Sequence, residues 1–405
     1  LAPKTIPELG PIDGVRIAVA ATGYKYRGRD DLLIVLFDEG TSAAGVFTRS
    51  TMASAPVDWC RANLEGPPAS ARALIVNAGN SNAFTGKAGA ETVKAVGAEL
   101  SEIVDCKRRE VFQASTRVIG QPFTAEILTK HFDRLVARAK SGGINAASRA
   151  IMTTDTFPKV ATRTAKIDGV SVTISGIAKG SGMIAPDMAT LLSFIFTDAE
   201  IPPAVLQTML VLGVRESFNA ITVDGDTSTS DSVMLFATGK AGNPAIARAG
   251  DPRLANFRDQ LQDLMQDLAK QVVRDGEGAS KFIRVRVTGA ENAKAARTVA
   301  MAIGNSPLIK TAIAGEDANW GRVVMAVGKS GERADRDKLR IKFGNFAVAS
   351  RGGPDPSYDE NKLADYMTGT EIEIEVDLGI ARGEAEIWTC DFTHGYISIN
   401  ADYRS

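Results

Sequence analysis

A glycine-rich loop runs directly into an apolar segment in the middle of this chain. Residues 179–190 read KGSGMIAPDMAT, and the apolar run 191–196 follows without a break. Residues 180–185 match the G-x-G-x-x-A pattern of dinucleotide-binding folds, but that pattern must open a helix. Here Pro186 and a strand-like run follow instead. The loop is therefore not expected to bind a dinucleotide.

The strand and helix pattern of the rest of the chain favours layered sheets with helices outside. Helices are predicted over 90–104 and over 251–275, where Asp251 is an N-cap and apolar residues recur three and four apart. A polar loop is expected over 350–362. Because strands and helices do not alternate regularly, we predict an α+β fold with mixed or antiparallel sheets. Short apolar runs predict strands at 15–21, 32–37, 73–76, 170–177, 282–287 and 372–376, and the segment 111–121 predicts a strand that runs into a turn.

The composition is that of a globular protein with one large domain or roughly two to three smaller ones. The 405 residues carry 47 Lys and Arg against 48 Asp and Glu, and the formal net charge is −1. Bulk charge therefore favours neither nucleic acid nor an anionic membrane as a partner. We find no apolar run of about eighteen residues and no secretory signal. The 3 cysteines are far apart, which is typical of a reducing compartment, so we expect a cytoplasmic protein.

Two stretches resemble ligand-binding motifs but lack essential residues. AVGKSG at 326–331 is similar to a P-loop, but Val323 stands where the first glycine of that motif is required. DGDTSTSD at 224–231 is similar to a calcium loop, but Thr229 and Leu235 replace the glycine and glutamate of an EF-hand. A hydrogen-bonded turn is the better interpretation of 224–231.

The shortage of histidines restricts the catalytic chemistry that is available. The chain has only His131 and His394, and neither lies in a motif typical of a Ser-His-Asp or Cys-His site. Thr190 offers a nucleophile that needs no histidine, because an N-terminal threonine uses its own α-amine as the base. A free α-amine has a pKa of about 7.7, close to neutral pH. Thr190 gains such an amine only if the bond to Ala189 is cut; the alternative is a threonine that begins a buried strand.

Motifs along the whole chain resemble one enzyme family. KGSGMIAPDMATLL is similar to the self-cleavage signature of the ornithine acetyltransferase (glutamate N-acetyltransferase) family. Other motifs of that family occur in the same order, which makes the resemblance very specific. They are NAGNSNAFTG (77–86), STRVIG (115–120), TTDTFPK (153–159), ITVDGDTSTSDS (221–232), DGEGASKF (275–282), GEDANWGR (315–322) and INADYRS (399–405).

The resemblance implies a self-processing acetyltransferase of arginine biosynthesis. Cleavage between Ala189 and Thr190 would give an α chain, 1–189, and a β chain, 190–405, which stay together, commonly as α2β2. The implied fold is an α-β-β-α sandwich with mixed sheets, similar to but distinct from N-terminal-nucleophile hydrolases. The implied reaction moves acetyl from N2-acetyl-L-ornithine to L-glutamate through an acetyl-threonine. The resemblance implies no metal and no cofactor, and acetyl-CoA stays open as a second acetyl donor.

The resemblance also implies roles for individual residues. Thr190 would be the nucleophile, and Thr116 with Arg117 would form the oxyanion hole. An N-acetyl amino acid carries a carboxylate that a cation can bind, and ornithine carries an ammonium that a carboxylate can bind. The remaining substrate-binding residues would be Thr154, Lys179, Glu277, Asn400 and Ser405.

Three positions depart from the family pattern. Arg117 replaces the usual glycine, Ser405 replaces a threonine, and Phe84 replaces a cysteine, which we interpret as a packing difference. If the glycine position requires a positive φ, Arg117 is strained there; its side chain is expected to point to solvent or to pair with a carboxylate. Two alternatives therefore remain open: a self-processed aminopeptidase-like hydrolase, and a family member impaired by Arg117.

Overall fold

The computed structural model describes residues 1–66, 69–185 and 191–402. They form two compact units. The larger, which we call the sandwich unit, comprises residues 3–219 and 226–272. The smaller, which we call the C-terminal unit, comprises residues 1–2, 220–225 and 273–402.

The sandwich unit begins with strands and ends with a long helix. Its elements, in chain order, are β1 (Val15–Ala20), β2 (Leu32–Phe37), β3 (Ser42–Phe47), α1 (Ala55–Leu64), β4 (Ala73–Asn77), α2 (Gly86–Val104), β5 (Val111–Ser115), α3 (Glu126–Thr129), α4 (Phe132–Arg138), α5 (Ile144–Ala150), β6 (Lys159–Ile167), β7 (Val170–Lys179), β8 (Leu192–Thr197), α6 (Pro203–Arg215), β9 (Ser232–Ala237) and α7 (Ala255–Arg274), whose last two residues belong to the C-terminal unit.

The C-terminal unit contains one sheet and several helices. Its elements are β10 (Phe282–Ala290), α8 (Ala293–Gly304), α9 (Pro307–Ala314), α10 (Trp320–Lys329), β11 (Arg340–Phe343), β12 (Phe346–Ser350), β13 (Gly353–Pro354), α11 (Glu360–Met367), β14 (Glu371–Asp377), β15 (Gly383–Cys390) and α12 (His394–Ala401).

Two mixed sheets form the centre of the sandwich unit. One has the strand order β1-β2-β4-β5, and the other has the order β3-β9-β8-β7-β6. Neighbouring strands are antiparallel except for two parallel pairs, β4 with β5 and β8 with β9. This mixture explains why the sequence shows no regular alternation of strands and helices.

Strand β2, with the sequence LLIVLF, is buried along its whole length because both of its faces are covered. Successive side chains of a strand point to opposite faces. The odd-numbered side chains of β2 lie in the core between the two sheets, where Phe37 stacks on Phe236 with ring centroids 4.5 Å apart. The even-numbered side chains lie in a second core, which includes Val96 and Leu100 of α2 and Phe132 of α4.

Helix α7 covers the outer face of the other sheet. A Cβ atom on Gly176 of β7 would lie 2.8 Å from Leu268 and 3.0 Å from Leu264, so the helix packs directly on the strand backbone. The Gln271 side chain also hydrogen-bonds both backbone groups of Val160 on β6. The layers are therefore helix, sheet, sheet and helix. The predicted α+β fold, an α-β-β-α sandwich with mixed sheets, is confirmed.

The C-terminal unit is built on a six-stranded sheet with the order β13-β12-β11-β14-β10-β15. Its strands pair antiparallel except for β10 and β14, which are parallel. Helix α8 packs closely on β15, since a Cβ atom on Gly304 would lie 2.5 Å from Ile387.

The predicted elements are present, but some of them begin or end at residues other than those predicted. The helix predicted from residue 251 begins with a 3₁₀ turn, Pro252–Leu254, capped by the Asp251 side chain, and continues as α7. The loop predicted over 350–362 is wrong at both ends, because β12 extends to Ser350 and α11 begins at Glu360. The carboxylate of Asp359 caps α11, a start signal that sits inside a polar stretch.

None of the helices among the described residues is long and apolar enough to cross a bilayer. The predicted cleavage bond between Ala189 and Thr190 lies outside the described residues, and the division into 1–189 and 190–405 stays a prediction. The bond is not a boundary between the two units, because residues on both sides of it belong to the sandwich unit.

Candidate active site

One edge of the second sheet brings together the ends of four strands. β6 begins at Lys159, which pairs with Ala178 of β7. β7 ends at Lys179, which pairs with Leu192, the first residue of β8. Leu192 in turn pairs with Ser232, the first residue of β9. The loop at 180–191 therefore leaves and re-enters the sheet at this edge.

Three predicted site residues, Ala189, Thr190 and Ser405, lie outside the described residues. Their roles as cleavage site, nucleophile and substrate-binding residue stay predictions. In the chain, Thr190 is separated from β8 by Leu191 alone.

Lys179 and Thr116 come together from the two sheets of the sandwich unit. Thr116 follows the last residue of β5, and its backbone N–H donates to the Asn77 carbonyl at 3.0 Å. Lys179 Nζ donates to Thr116 Oγ1 at 3.5 Å. Both residues are only 2 % exposed. Because burial of an ammonium costs free energy unless polar or anionic groups surround it, this position is typical of a functional cation.

Asp155 holds the backbone next to Lys179. Its Oδ1 accepts hydrogen bonds from Lys159 Nζ and from the Gly180 N–H, both at 2.7 Å. Burial alone would raise the pKa of Asp155, but the ammonium groups of Lys159 and Lys179 and hydrogen bonds from Lys159 and Thr153 hold it below its ordinary value. Asp155 is therefore a buried carboxylate that fixes the start of the 180–191 loop.

Thr154 lies beside that loop. Its Oγ1 is 2.7 Å from the Ser181 hydroxyl oxygen, and either oxygen is able to donate the hydrogen bond. Ser181 is two residues beyond Lys179. Thr154 therefore contacts the start of the loop that follows Lys179, and Lys179 in turn contacts Thr116.

Asp231 fixes the point at which the chain re-enters the sheet. Its carboxyl is fully buried, and its Oδ1 accepts the Leu191 N–H at 2.7 Å. The Ser232 N–H donates to the Leu191 carbonyl at 3.0 Å, so Leu191 is held at both of its backbone groups. Burial raises the pKa of Asp231 well above its ordinary value, although the hydrogen bond from Leu191 and the ammonium of Lys179 act in the opposite direction.

Arg117 has a backbone conformation that favours glycine. Its φ is +120°, in the left-handed region that side chains rarely adopt. The strain that the sequence predicted for a non-glycine residue at this position is therefore present. The peptide of Arg117 directly follows Thr116, so the two predicted oxyanion donors are adjacent in the structure as well as in the sequence.

The Arg117 side chain is half-buried and pairs with no carboxylate of a described residue. Its guanidinium donates to the Tyr26 hydroxyl and lies 4.6 Å from the centre of the Tyr26 ring. The guanidinium of Arg29 lies 4.1 Å from the same ring. Phe84 was interpreted as a packing difference, but it is 77 % exposed and has a φ of +53°.

Glu277 and Asn400 meet in the C-terminal unit. Asn400 Nδ2 donates to Glu277 Oε2 at 2.8 Å and to the Tyr396 carbonyl at 3.0 Å. The two segments touch closely, because a Cβ atom on Gly278 would lie 2.4 Å from the Tyr396 nitrogen. The carboxylate of Glu277 and the amide of Asn400 are therefore available together to a polar ligand.

Sequence reasoning missed three charged residues near the loop, namely Asp155, Lys159 and Asp231. They lie within the motifs TTDTFPK and ITVDGDTSTSDS. Neither motif indicates from sequence alone that these charges are buried. Both motifs run directly into strands that were not predicted, β6 and β9, so the position of these charges at strand ends was missed as well.

Comparisons with known proteins agree along the whole chain. The sequence profile of the ArgJ family matches residues 16–405. The arginine biosynthesis bifunctional protein ArgJ of Rhizobium meliloti (strain 1021) is 57% identical over 408 residues, which cover 100% of this chain and 98% of that protein. The protein of the same name from Bradyrhizobium diazoefficiens is 54% identical with the same coverage. A crystal structure of ornithine acetyltransferase complexed with ornithine, from Mycobacterium tuberculosis, is 32% identical, covers 44% of this chain and 95% of that chain, and has a TM-score of 0.39. As its motifs predicted, the chain therefore belongs to the ArgJ family.

Proposed function

We propose that this protein cleaves itself between Ala189 and Thr190 and then transfers acetyl from N2-acetyl-L-ornithine to L-glutamate through an ester on Thr190. The observation that carries the proposal is the buried contact between Lys179 and Thr116, next to the loop that contains residue 190. The similarity to known relatives supports this reaction class, since those relatives are bifunctional proteins of arginine biosynthesis. The protein is accordingly an acetyltransferase.

Self-cleavage makes the catalytic base. Thr190 Oγ attacks the carbonyl carbon of Ala189, a C–O bond forms, and the C–N bond to Thr190 breaks. The Oγ proton passes to the released nitrogen, which becomes an amine. Water then hydrolyses the ester, so that Ala189 gains a carboxyl group and Thr190 regains its hydroxyl. The new amine has a pKa near neutrality, which suits a general base.

Acetyl transfer uses the same hydroxyl twice. Thr190 Oγ attacks the acetyl carbon of N-acetylornithine, the C–N bond breaks, and the Oγ proton passes through the α-amine to the ornithine nitrogen. Ornithine leaves. The amine of glutamate then attacks the ester carbonyl, the C–O bond breaks, and a proton returns to Oγ. One nucleophile therefore serves donor and acceptor in turn.

Thr116 and Arg117 supply the oxyanion donors in this proposal. Because Thr116 Oγ1 accepts a hydrogen bond from Lys179, its own O–H is directed elsewhere and is polarised for donation. The second donor is the backbone N–H of Arg117, which any side chain at that position retains. Each such donor contributes on the order of 2.7–4 kcal/mol to transition-state stabilisation.

The proposed substrate-binding residues have separate tasks. In the sandwich unit, Lys179 and Thr154 bind the carboxylate of the substrate. In the C-terminal unit, Glu277 binds the side-chain ammonium of ornithine and Asn400 orients Glu277. We also propose a role for Ser405, which supplies a hydroxyl in this scheme.

Several further features belong to the proposal. The α and β chains stay associated, as α2β2, in the cytoplasm, and no cofactor takes part. Acetyl-CoA is a second acetyl donor to be tested. The competing function is a self-processed member that is impaired in transfer, which the strained Arg117 beside Thr116 favours.

One set of measurements tests the proposal. N-terminal sequencing of the purified protein is expected to give a chain that starts Thr-Leu-Leu, and Thr190→Ala is expected to stay whole. Brief incubation with N-acetylornithine is expected to add one acetyl group to the β chain by mass spectrometry. Acetylglutamate formation is then compared with N-acetylornithine and with acetyl-CoA as donor. A protein that cleaves itself but neither binds nor transfers acetyl is the impaired member, and release of free acetate without glutamate indicates a hydrolase.

A further inference from the structure

Two arginines of the sandwich unit lie against one aromatic ring. The guanidinium carbons of Arg117 and Arg29 are 4.6 and 4.1 Å from the centre of the Tyr26 ring. The hydrogen bonds of the two guanidiniums within the described chain go to neutral oxygens, the Tyr26 hydroxyl and the Met152 carbonyl. Neither guanidinium forms an ion pair with a carboxylate of a described residue. Two like charges, which repel each other, are therefore held close together without an ion pair to offset them.

One edge of the Arg117 guanidinium has an unsatisfied donor. Nη1 donates to the Tyr26 hydroxyl, whereas Nε is buried and makes no hydrogen bond with the residues that the structure describes. Buried polar atoms almost always have a partner, because the hydration that they lose must be replaced. Nε and Nη2 form the edge with which a guanidinium binds a carboxylate through two parallel hydrogen bonds. The group that suits this edge is therefore a carboxylate.

The two arginines are attached to segments that carry candidate site residues. Arg117 directly follows Thr116, the residue whose hydroxyl accepts from the buried ammonium at the end of β7. Arg29 donates to the carbonyl of Met152, and Thr154 follows two residues later in the chain. The aromatic ring between the arginines therefore connects the segment of Thr116 with the segment of Thr154.

The two substrates of the proposed reaction differ in charge. N-acetylornithine carries one carboxylate and one ammonium, whereas glutamate carries two carboxylates. The proposed function gives Lys179 to one carboxylate and Glu277 to the ammonium of ornithine. The side-chain carboxylate of glutamate has no cation in that scheme. The acceptor therefore needs one more cationic group than the donor.

We propose that Arg117, with Arg29 beside the same ring, binds the side-chain carboxylate of the acceptor glutamate. This inference rests on the proposed transfer of acetyl to glutamate. The guanidinium of Arg117 makes the contact, and the positive charge of Arg29 strengthens the attraction. The backbone N–H of Arg117 keeps its separate role as an oxyanion donor. The strained φ of +120° agrees with this role, because strained residues cluster at ligand-binding sites.

A comparison of glutamate with glutamine as acceptor tests the carboxylate site. Glutamine has the same length and the same α-groups, but its side chain is a neutral amide, so a general loss of catalysis cancels in the ratio of the two kcat/KM values. In Arg117→Gly, which removes the guanidinium at a position that favours glycine, the preference for glutamate is expected to fall at least about tenfold, the effect of one hydrogen bond to a charged group. Arg29→Gln is expected to lower the ratio in the same direction. Arg27→Gln is the matched control, because Arg27 is exposed on the same loop, and this variant should keep the wild-type ratio.

Binding measurements separate this inference from the proposed function. Isothermal titration calorimetry gives the dissociation constants of glutamate and of glutamine for wild type and Arg117→Gly, whether or not acetyl is transferred. Wild type is expected to bind glutamate more tightly, and the variant is expected to lose at least about tenfold of that preference. A preference that is absent in wild type, or unchanged in the variant, overturns the carboxylate site. An equal loss for both amino acids also overturns it, because Arg117 would then bind a group that they share. A wild-type protein that makes no acetylglutamate refutes the proposed function instead, and the binding ratio still decides on the carboxylate site.

Discussion

Lys179 Nζ and Thr116 Oγ1 lie 3.5 Å apart, although Lys179 ends β7 of one sheet and Thr116 follows β5 of the other. The contact joins a buried cation to a hydroxyl group next to a backbone N–H. Such a cluster is suited to an anionic substrate that develops further negative charge during reaction. The sandwich therefore does more than bury apolar side chains, because it aligns two strand ends that are distant in sequence.

The first prediction concerns the Lys179 ammonium. Lys179→Met keeps much of the side-chain volume and removes the charge. A hydrogen bond to a charged group contributes about 1.5–3 kcal/mol, so kcat/KM for N-acetylornithine is expected to fall about 10- to 150-fold. Steady-state kinetics on the processed enzyme measure this change.

Lys166→Met is the control for that change. Lys166 lies on β6 of the same sheet, but it is exposed. Its replacement is expected to leave kcat/KM within about twofold of wild type, since surface charges contribute little. An equal loss of kcat/KM in Lys179→Met and Lys166→Met would show that Lys179 has no specific role in substrate binding.

The fold was largely predictable because its strongest signals are local. The run LLIVLF predicts β2 correctly, and Asp251 marks the start of the α7 region. Register and sheet order were not predictable, because the pairing of Lys179 with Leu192 spans a loop whose conformation the sequence does not fix. The short strand β13 was not predictable either, because it lies in a polar stretch that has no apolar pattern.

The site was predictable in its residue types and much less so in its electrostatics. The motifs identify Thr116 and Lys179. The burial of these two residues and the distance between them result only from the packing of the two sheets. Asp231 is a clear example. Its sequence neighbourhood, TSTSDS, is typical of an exposed turn, yet its carboxyl is fully buried. A single sequence does not indicate whether a polar segment is covered by another layer.

The second prediction concerns the buried ion pair of Asp155 and Lys159. Their side chains are fully buried and 2.7 Å apart. Asp155→Asn leaves the Lys159 ammonium without its carboxylate, so the free energy of unfolding at pH 7 is expected to fall by about 3–5 kcal/mol. Asp58→Asn breaks an exposed pair with Arg61, at 3.4 Å, and should cost less than about 1 kcal/mol. Urea unfolding of both variants measures the difference.

The same pair has a predictable pH dependence. The pKa of Asp155 is lower in the folded protein than the unfolded value of about 3.9. The stability that ionised Asp155 contributes is therefore fully present above pH 4 or so, and is lost as pH falls toward the folded-state pKa. The difference between wild type and Asp155→Asn should narrow below about pH 4. A difference that stays constant over that range would contradict an ionised Asp155.

The third prediction tests recognition of the ornithine side chain. Glu277→Gln removes the negative charge but keeps a carbonyl that accepts from Asn400. KM for N-acetylornithine is expected to rise at least about tenfold, or about 1.4 kcal/mol, because the ammonium loses its partner. Self-cleavage should be unaffected. Initial rates over a range of donor concentrations measure KM.

A substrate without the ammonium makes this test specific. N-acetylnorvaline has the same carbon chain but lacks the terminal amine, so wild type and Glu277→Gln are expected to use it equally poorly. Glu316→Gln is the protein control, since Glu316 is in the same unit and pairs with Lys281 at 3.3 Å. A KM increase that persists with N-acetylnorvaline would mean that Glu277 supports the local structure and does not bind the ammonium.

The last prediction concerns Arg117, whose φ of +120° is strained for any residue except glycine. Arg117→Gly and Arg117→Ala both lose the contacts with Tyr26, but only glycine relieves the strain. The glycine variant is therefore expected to be more stable than the alanine variant by about 1–3 kcal/mol. Urea unfolding measures this difference, and equal stabilities would contradict a strained backbone.

The activity of the same glycine variant decides between the two functions that remain. Arginine and glycine at position 117 both supply a backbone N–H to the proposed oxyanion hole. The kcat of Arg117→Gly is therefore expected to stay within about tenfold of wild type, or about 1.4 kcal/mol. Tyr26→Phe is a useful companion, because it removes the hydroxyl that accepts from Arg117 and keeps the ring. If the Arg117 side chain merely lies against Tyr26, this variant also keeps its activity. A gain of about a hundredfold in Arg117→Gly, the size of one oxyanion donor, would instead mean that the arginine obstructs the hole. The protein would then be a family member that cleaves itself but is impaired in acetyl transfer.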